Sequence, residues 1–196
     1  MITASRIRGI LLEPRSEWPK IDSEPATPGS LYAGWIAPLA AIGPIASLIG
    51  LSVFGISLPF AGRYVVPLGT GIMGAVWRYI MALVGCAVIA LVIDKLAPSF
   101  GATANRIGAW KVAAYSSTAA WLAGIFGIFP PLAILGLVGL YSIYLMYLGL
   151  MLVMKAPAQR AVGYTAVVVL VAIVFFIVVG LVSGILLRAG RLPTAM

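Results

Sequence analysis

An all-α, polytopic membrane protein with five transmembrane helices and a short N-terminal interfacial amphipathic helix is the fold class this chain predicts. Three observations lead there. The composition is 62% hydrophobic and only 9% charged, with a mean hydropathy of +1.11, more apolar surface than a water-soluble fold can hide. The apolar residues gather in five runs, at 32–56, 72–96, 110–129, 132–154 and 163–187. Each is near or above the ~20 residues that a helix rising about 1.5 Å per residue needs to cross some 30 Å of hydrocarbon. The runs are also continuously apolar, whereas strands of a membrane barrel alternate lipid-facing and lumen-facing side chains.

Residues 1–30 read as a cytoplasmic or interfacial segment, and residues 31–196 as one five-helix membrane domain with no room for a catalytic domain. Within 3–12, Ile7, Ile10 and Leu11 share a helical face opposite Arg6 and Arg8, the pattern of a helix lying in a membrane interface. Thr3 or Ser5 can cap its start, Pro14 discourages continuation, and Trp18 is a further interfacial anchor. The apolar stretch after Arg8 ends at Glu13 and Pro14, too short for a signal-peptide core, so the N-terminus is expected to be retained.

Residues 22–30, with Glu24, Pro25, Pro28 and Gly29, form an irregular link. Pro38 and Pro44 remove backbone donors within the first run and bend or interrupt it. The loop at 57–71 carries Pro59, Arg63 and Pro67 and no evident chemistry. Arg78, in the outer half of the second run, can snorkel toward headgroups or contact an anionic lipid. Phe129, Pro130 and Pro131 leave almost no connector between the third and fourth runs, which predicts a tight antiparallel hairpin. Ser116, Ala120 and Gly124 recur every four positions, and Gly180 and Gly184 form GxxxG; such stripes let helices approach closely, within one chain or between chains.

Charge sets the orientation. With the N-terminus inside, nine basic residues (Arg6, Arg8, Arg15, Lys20, Lys95, Arg106, Lys111, Lys155, Arg160) face the cytoplasm and four (Arg63, Arg78, Arg188, Arg191) the other side. The positive-inside rule selects N-inside, C-outside. The net charge of +8 then describes a membrane-facing rim that attracts anionic headgroups, and no nucleic-acid partner is implied.

No enzyme, cofactor or metal is expected: histidine is absent and cysteine occurs once, as Cys86. With Asp94 the single acid of the membrane domain, no nucleophile, base and orienter set is present. Asp94 is a candidate headgroup or proton site, or a boundary residue paired with Lys95, Arg106 or Lys111. Tyr141, Tyr144 and Tyr147 form a slowly rotating stripe that suits a headgroup pocket or ordinary packing.

The order of features resembles the compact bacterial branch of the Yip family (Ypt-interacting protein one domain). The resemblance rests on Glu17-Trp18, the phrases Ile93-Asp94-Lys95-Leu96-Ala97-Pro98 and Lys111-Val112-Ala113-Ala114-Tyr115-Ser116, the tyrosine stretch from Tyr141 to Gly149, and Met154-Lys155-Ala156-Pro157 followed by Ala161-Val162-Gly163-Tyr164. It implies a noncatalytic integral protein of the bacterial inner membrane that acts in membrane organisation, assembly or partner recruitment. Membrane lipids and either a second copy or other membrane proteins would be its partners. The Asp-Leu-Tyr-Gly-Pro phrase of eukaryotic members survives here only as Leu31-Tyr32, and their Gly-Tyr phrase only as Tyr115, which weighs against GTPase binding. Candidate ligand- or partner-binding residues are Tyr32, Asp94, Tyr115, Tyr144 and Lys155. The competing expectation is a lipid or small-molecule transporter, with a polar site between the proline-containing first span, Asp94 and the tyrosines.

Overall fold

The chain is described here from a computed structural model covering residues 3–58 and 62–189, with only the backbone for 56–58 and 183–189. Pro59 and Arg191, and the surroundings of Gly184 and Arg188, lie outside the described residues. Two short helices come first, α1 (Ala4–Leu12) and α2 (Pro14–Ser23). Thr3 caps α1 by accepting from the Arg6 amide, and Pro14 opens α2 at a position where no amide is needed. The link that follows ends in a capping box in which Thr27 and Ser30 exchange backbone and side-chain hydrogen bonds of 2.9 and 3.1 Å.

Four helices are long and apolar enough to cross a membrane: Pro28–Phe54, Leu68–Phe100, Pro130–Leu152 and Ala158–Val182. We name the first α3, the α-helical part of the second α4 (Leu68–Leu96), the third α7 and the last, which continues to Ala189, α8 (Ala158–Ala189). In α3 the prolines have the effect the sequence predicts. The helix passes through wide π-type turns at Tyr32–Ile36 and Gly50–Phe54 and is broken at Ala41, where Pro38 and Pro44 withhold amides from the ladder. Arg63 closes its far end, donating to the carbonyls of Phe54 at 2.6 Å and Val53 at 2.7 Å; residues Ile56–Leu58 and Gly62–Tyr64 form a two-stranded hairpin there.

The third apolar run is where the structure departs from five uninterrupted helices. It is divided into α5 (Arg106–Ser116), α6 (Thr118–Ala123) and a 3₁₀ stretch, Gly124–Ile128. The Ser117 hydroxyl takes the Ala113 carbonyl at 2.8 Å, the acceptor that the helical ladder would use, and such back-bonding bends helices. The dihedral angles of Ser117 stay right-handed, φ −72° and ψ −8°, so the segment continues as one bent rod.

Its neighbours give the direction of that rod. Tyr32 meets Trp110, Trp35 meets Thr118, Gly43 meets Gly124, Gly50 meets Gly127 and Phe54 meets Phe129, so α3 and the third segment run side by side in the same sense. Against α7 the order reverses, with Gly108 beside Met154, Val112 beside Gly149, Ala120 beside Ser142 and Gly139 beside Ala120 and Ala123. That is the antiparallel hairpin predicted from Phe129-Pro130-Pro131. The small-residue stripe of the third segment makes close contacts inside the chain, Ala120 with Gly139 and Gly124 with Gly43, although Ala120 stays exposed on its other side.

Helices α4 and α8 are also antiparallel, with the Tyr164 hydroxyl on the Ile93 carbonyl and Gly85 against Phe175 and Phe176. Large exposed apolar side chains extend from Ile72 to Leu91 on α4 and from Val162 to Val182 on α8. At about 1.5 Å per residue each belt is some 30 Å tall, the thickness of a hydrocarbon core. Asp94 lies at the edge of this belt, at the end we call proximal; the other end, with Phe54, Leu68 and Phe129, is distal.

Candidate functional site

Polar side chains gather at the proximal end, where α1 and α2 fold back as a hairpin against α5 and α7. The apolar face that the sequence offers to a membrane interface is filled by protein: Ile10 and Trp18 are both 0% exposed. Trp18 packs against Gly149, where an added Cβ would come within 2.8 Å of the indole, and this residue is therefore enclosed in the bundle, whereas the sequence alone read it as an interfacial anchor. The Tyr141 hydroxyl donates to the Leu11 carbonyl at 3.0 Å and fixes the hairpin's tip. Leu12, at that tip, stays exposed.

Ion pairs fasten the hairpin to itself and to the bundle. Arg6 bridges Glu17 at 2.8 Å and also binds Glu24, and Lys20 reaches Glu17 at 3.1 Å. Glu17 is buried, so its carboxylate is held by two cations in a place where losing one would be costly. Lys111 is buried as well, and its ammonium donates to the carbonyls of Asp22 at 2.8 Å and Glu24 at 2.6 Å. Lys155 extends the network by pairing with Asp22 at 3.1 Å. It holds the left-handed conformation, φ 56°, at a helix end usually given to glycine, and the Ala156 amide returns to the Leu150 carbonyl at 3.1 Å.

Between the hairpin, α3 and α5 lies a cavity of about 190 Å³, bordered by Glu24, Ser30, Leu31, Trp35, Lys111 and Tyr115. The Tyr115 ring meets Trp35 at 4.6 Å and Trp18, edge-on, at 6.4 Å. The Trp35 indole donates to Thr118 at 3.1 Å.

Of the five candidate residues, the structure brings Tyr115 and Lys155 to this seam. Tyr32 adjoins it, donating to the Leu83 carbonyl at 2.8 Å with its ring on Trp110. Tyr144 is elsewhere: its ring lies 5.5 Å from that of Tyr141, tilted by 38°, and it lines a groove of about 520 Å³ between α7 and α8, with Tyr147 and Thr165. Asp94 is half-buried at the belt's edge. Of its three expected partners, Lys95, Arg106 and Lys111, the last is committed to the carbonyls of residues 22 and 24, and none of the ion pairs among the described residues includes Asp94. Sequence reasoning missed Arg6, Glu17, Glu24 and Lys111 as a unit. A signal existed in the four acids confined to the first 24 residues, which require cations from somewhere in the fold.

What the seam can do chemically is hold an arm and present a small polar cavity at the belt's edge. Among the described residues, no group of three or more His, Cys, Asp or Glu could hold a metal ion. Comparison with known proteins gives one family: the model of the Yip1 domain matches residues 8–180, from within α1 to the distal part of α8. Neither the curated proteins nor the solved structures contain a match to the chain.

Proposed function

The chain belongs to the Yip1 domain family and is an integral membrane protein, and from that premise we propose a noncatalytic role in membrane organisation and partner recruitment. The polypeptide crosses the bilayer five times. The third run counts as a crossing because it travels beside α3 from Trp110 at Tyr32 to Phe129 at Phe54, over the same depth as a helix that crosses. An odd number of crossings puts the termini on opposite sides, and the excess of basic residues at the proximal end supports a cytoplasmic location for it.

The observation that carries this reading is the placement of α1 and α2, docked on α5 and α7 along the proximal half of the bundle. Two extra helices in one leaflet give the protein a wedge-shaped cross-section, which favours membranes curved toward the other leaflet. Its second element is α8, whose 25-residue membrane portion is only 11% buried over its most apolar stretch and so offers a helix face to a second copy or another membrane protein.

Full-length protein reconstituted into vesicles of phosphatidylethanolamine and phosphatidylglycerol tests the proposal. Electron microscopy should show smaller or tubular vesicles as the protein-to-lipid ratio rises, and in-membrane cross-linking should yield dimers or larger species. Vesicles of unchanged size containing only monomers would remove its basis.

A further inference from the structure

At the distal half of the belt, far from the seam, a second feature invites a ligand. A cavity of about 520 Å³ lies between α3, α4, α6 and α8, and its walls include Gly43, Ser47, Trp77, Trp121, Phe176 and Gly180 together with Arg78. Arg78 stands six residues inside Ile72, where the exposed apolar belt of α4 begins, so it lies about 9 Å below the distal edge. Its guanidinium donates to the Ser47 hydroxyl at 3.0 Å, and that hydroxyl donates in turn to the Pro44 carbonyl. None of the ion pairs among the described residues includes Arg78.

We propose that this groove is a phospholipid site of the distal leaflet, with Arg78 and Ser47 holding the phosphate and the apolar walls taking an acyl chain. A guanidinium carries five donors in a fork that matches phosphate oxygens, and Ser47 occupies only one of them here. At this depth an uncompensated cation is costly, and a long side chain reaches the headgroup layer to relieve it. Charge decides between the two possible occupants. Asp94, at the proximal end, is the single acid after Glu24, so the distal halves of α3, α4, α6 and α8 of a second copy in the same orientation would bring no acidic side chain to Arg78. A lipid phosphate supplies the missing anion. The site is independent of the organising role proposed above.

Quenching of tryptophan fluorescence by brominated lipids tests it, because Trp77 and Trp121 line the groove while Trp18, Trp35 and Trp110 are buried. Full-length protein is reconstituted in phosphatidylcholine vesicles doped with brominated phosphatidylglycerol or brominated phosphatidylcholine. Wild type should favour the anionic lipid about fivefold, the effect of one basic group near the surface. Arg78→Gln should bring the two lipids to parity, Arg78→Lys should keep most of the preference, and Arg63→Gln, whose guanidinium holds the α3 carbonyls, should keep all of it. Gly180→Leu serves as a second variant: a Cβ there meets nothing within 4 Å, so it fills the groove without clashing and should lower quenching by both lipids. An unchanged preference in Arg78→Gln, or quenching in Gly180→Leu equal to wild type, overturns the site. So does quenching that falls to nothing as cross-linked dimers accumulate, which would assign the groove to a second copy.

Discussion

Helix α8 and the segment α5 stand at opposite extremes, and the contrast inverts the rule for soluble proteins. The membrane portion of α8 has the highest mean hydropathy of the four spanning helices, 3.2, yet its most apolar stretch is only 11% buried. In α5 eight of eleven residues are buried, and they include Lys111 and Ser116. In water, hydropathy drives burial; among lipid tails an exposed valine or leucine pays nothing, and burial goes to residues that allow close approach or have polar partners to satisfy. The buried set of α5 contains one glycine, three alanines, a serine and a lysine beside Trp110 and Val112, while the large side chains that α8 leaves exposed are Val, Leu, Ile and Phe.

The comparison can be broken most sharply at the glycines. An added Cβ at Gly50 would sit 2.1 Å from the Gly127 carbonyl oxygen, a backbone atom that cannot step aside, whereas at Gly180 it meets nothing within 4 Å. Gly50→Ala is expected to destabilise the protein by about 3 kcal/mol or more, seen as a lower thermal midpoint in detergent, and Gly180→Ala to leave the midpoint unchanged. A Gly50→Ala protein as stable as wild type would mean that close backbone approach does not decide burial here.

A second effect belongs to the buried cation. Lys111→Met keeps much of the packing volume but leaves the carbonyls of Asp22 and Glu24 without their donor, at a cost of about 1–3 kcal/mol. It should also free the hairpin, so that protease cleavage within residues 1–24 accelerates while the membrane domain stays intact. Wild-type cleavage kinetics would show that the ion pairs of Arg6 and Lys155 hold the arm by themselves.

The smallest effect sharpens the comparison. Ile173 is 51% exposed and Ile93 0% exposed, although the two residues are identical and lie on packed neighbouring helices. Ile93→Ala opens a cavity at a cost of about 2–4 kcal/mol, whereas Ile173→Ala exchanges protein for lipid and should change unfolding in lipid by under about 0.5 kcal/mol. Equal losses would place Ile173 in an interface with another chain.

Much of the fold was legible without coordinates, because crossing a bilayer is a local property. Twenty apolar residues span it wherever their neighbours are, so composition and run length gave the class and the approximate course of four spanning helices, and Phe129-Pro130-Pro131 gave the hairpin. Proline also acts locally, and the interruptions of α3 follow from Pro38 and Pro44. Ser117 escaped notice since a hydroxyl's choice between water, lipid-facing neighbours and the Ala113 carbonyl is not written in hydropathy. The site was half legible. Tyr115 and Lys155 were singled out, while Asp94 and Tyr144 were grouped with them although the fold keeps them apart.

The amino-acid sequence by itself thus determined that this chain lives in a membrane and which stretches are apolar enough to cross it, since each depends on residues adjacent in the chain. Tertiary structure alone decided what covers what. Arg6 with Glu24, Lys111 with the carbonyls of 22 and 24, Trp18 on Gly149 and Gly43 on Gly124 join residues up to 131 positions apart. Such pairings depend on the register of packed helices, and in a medium as apolar as the side chains themselves hydropathy holds no record of it.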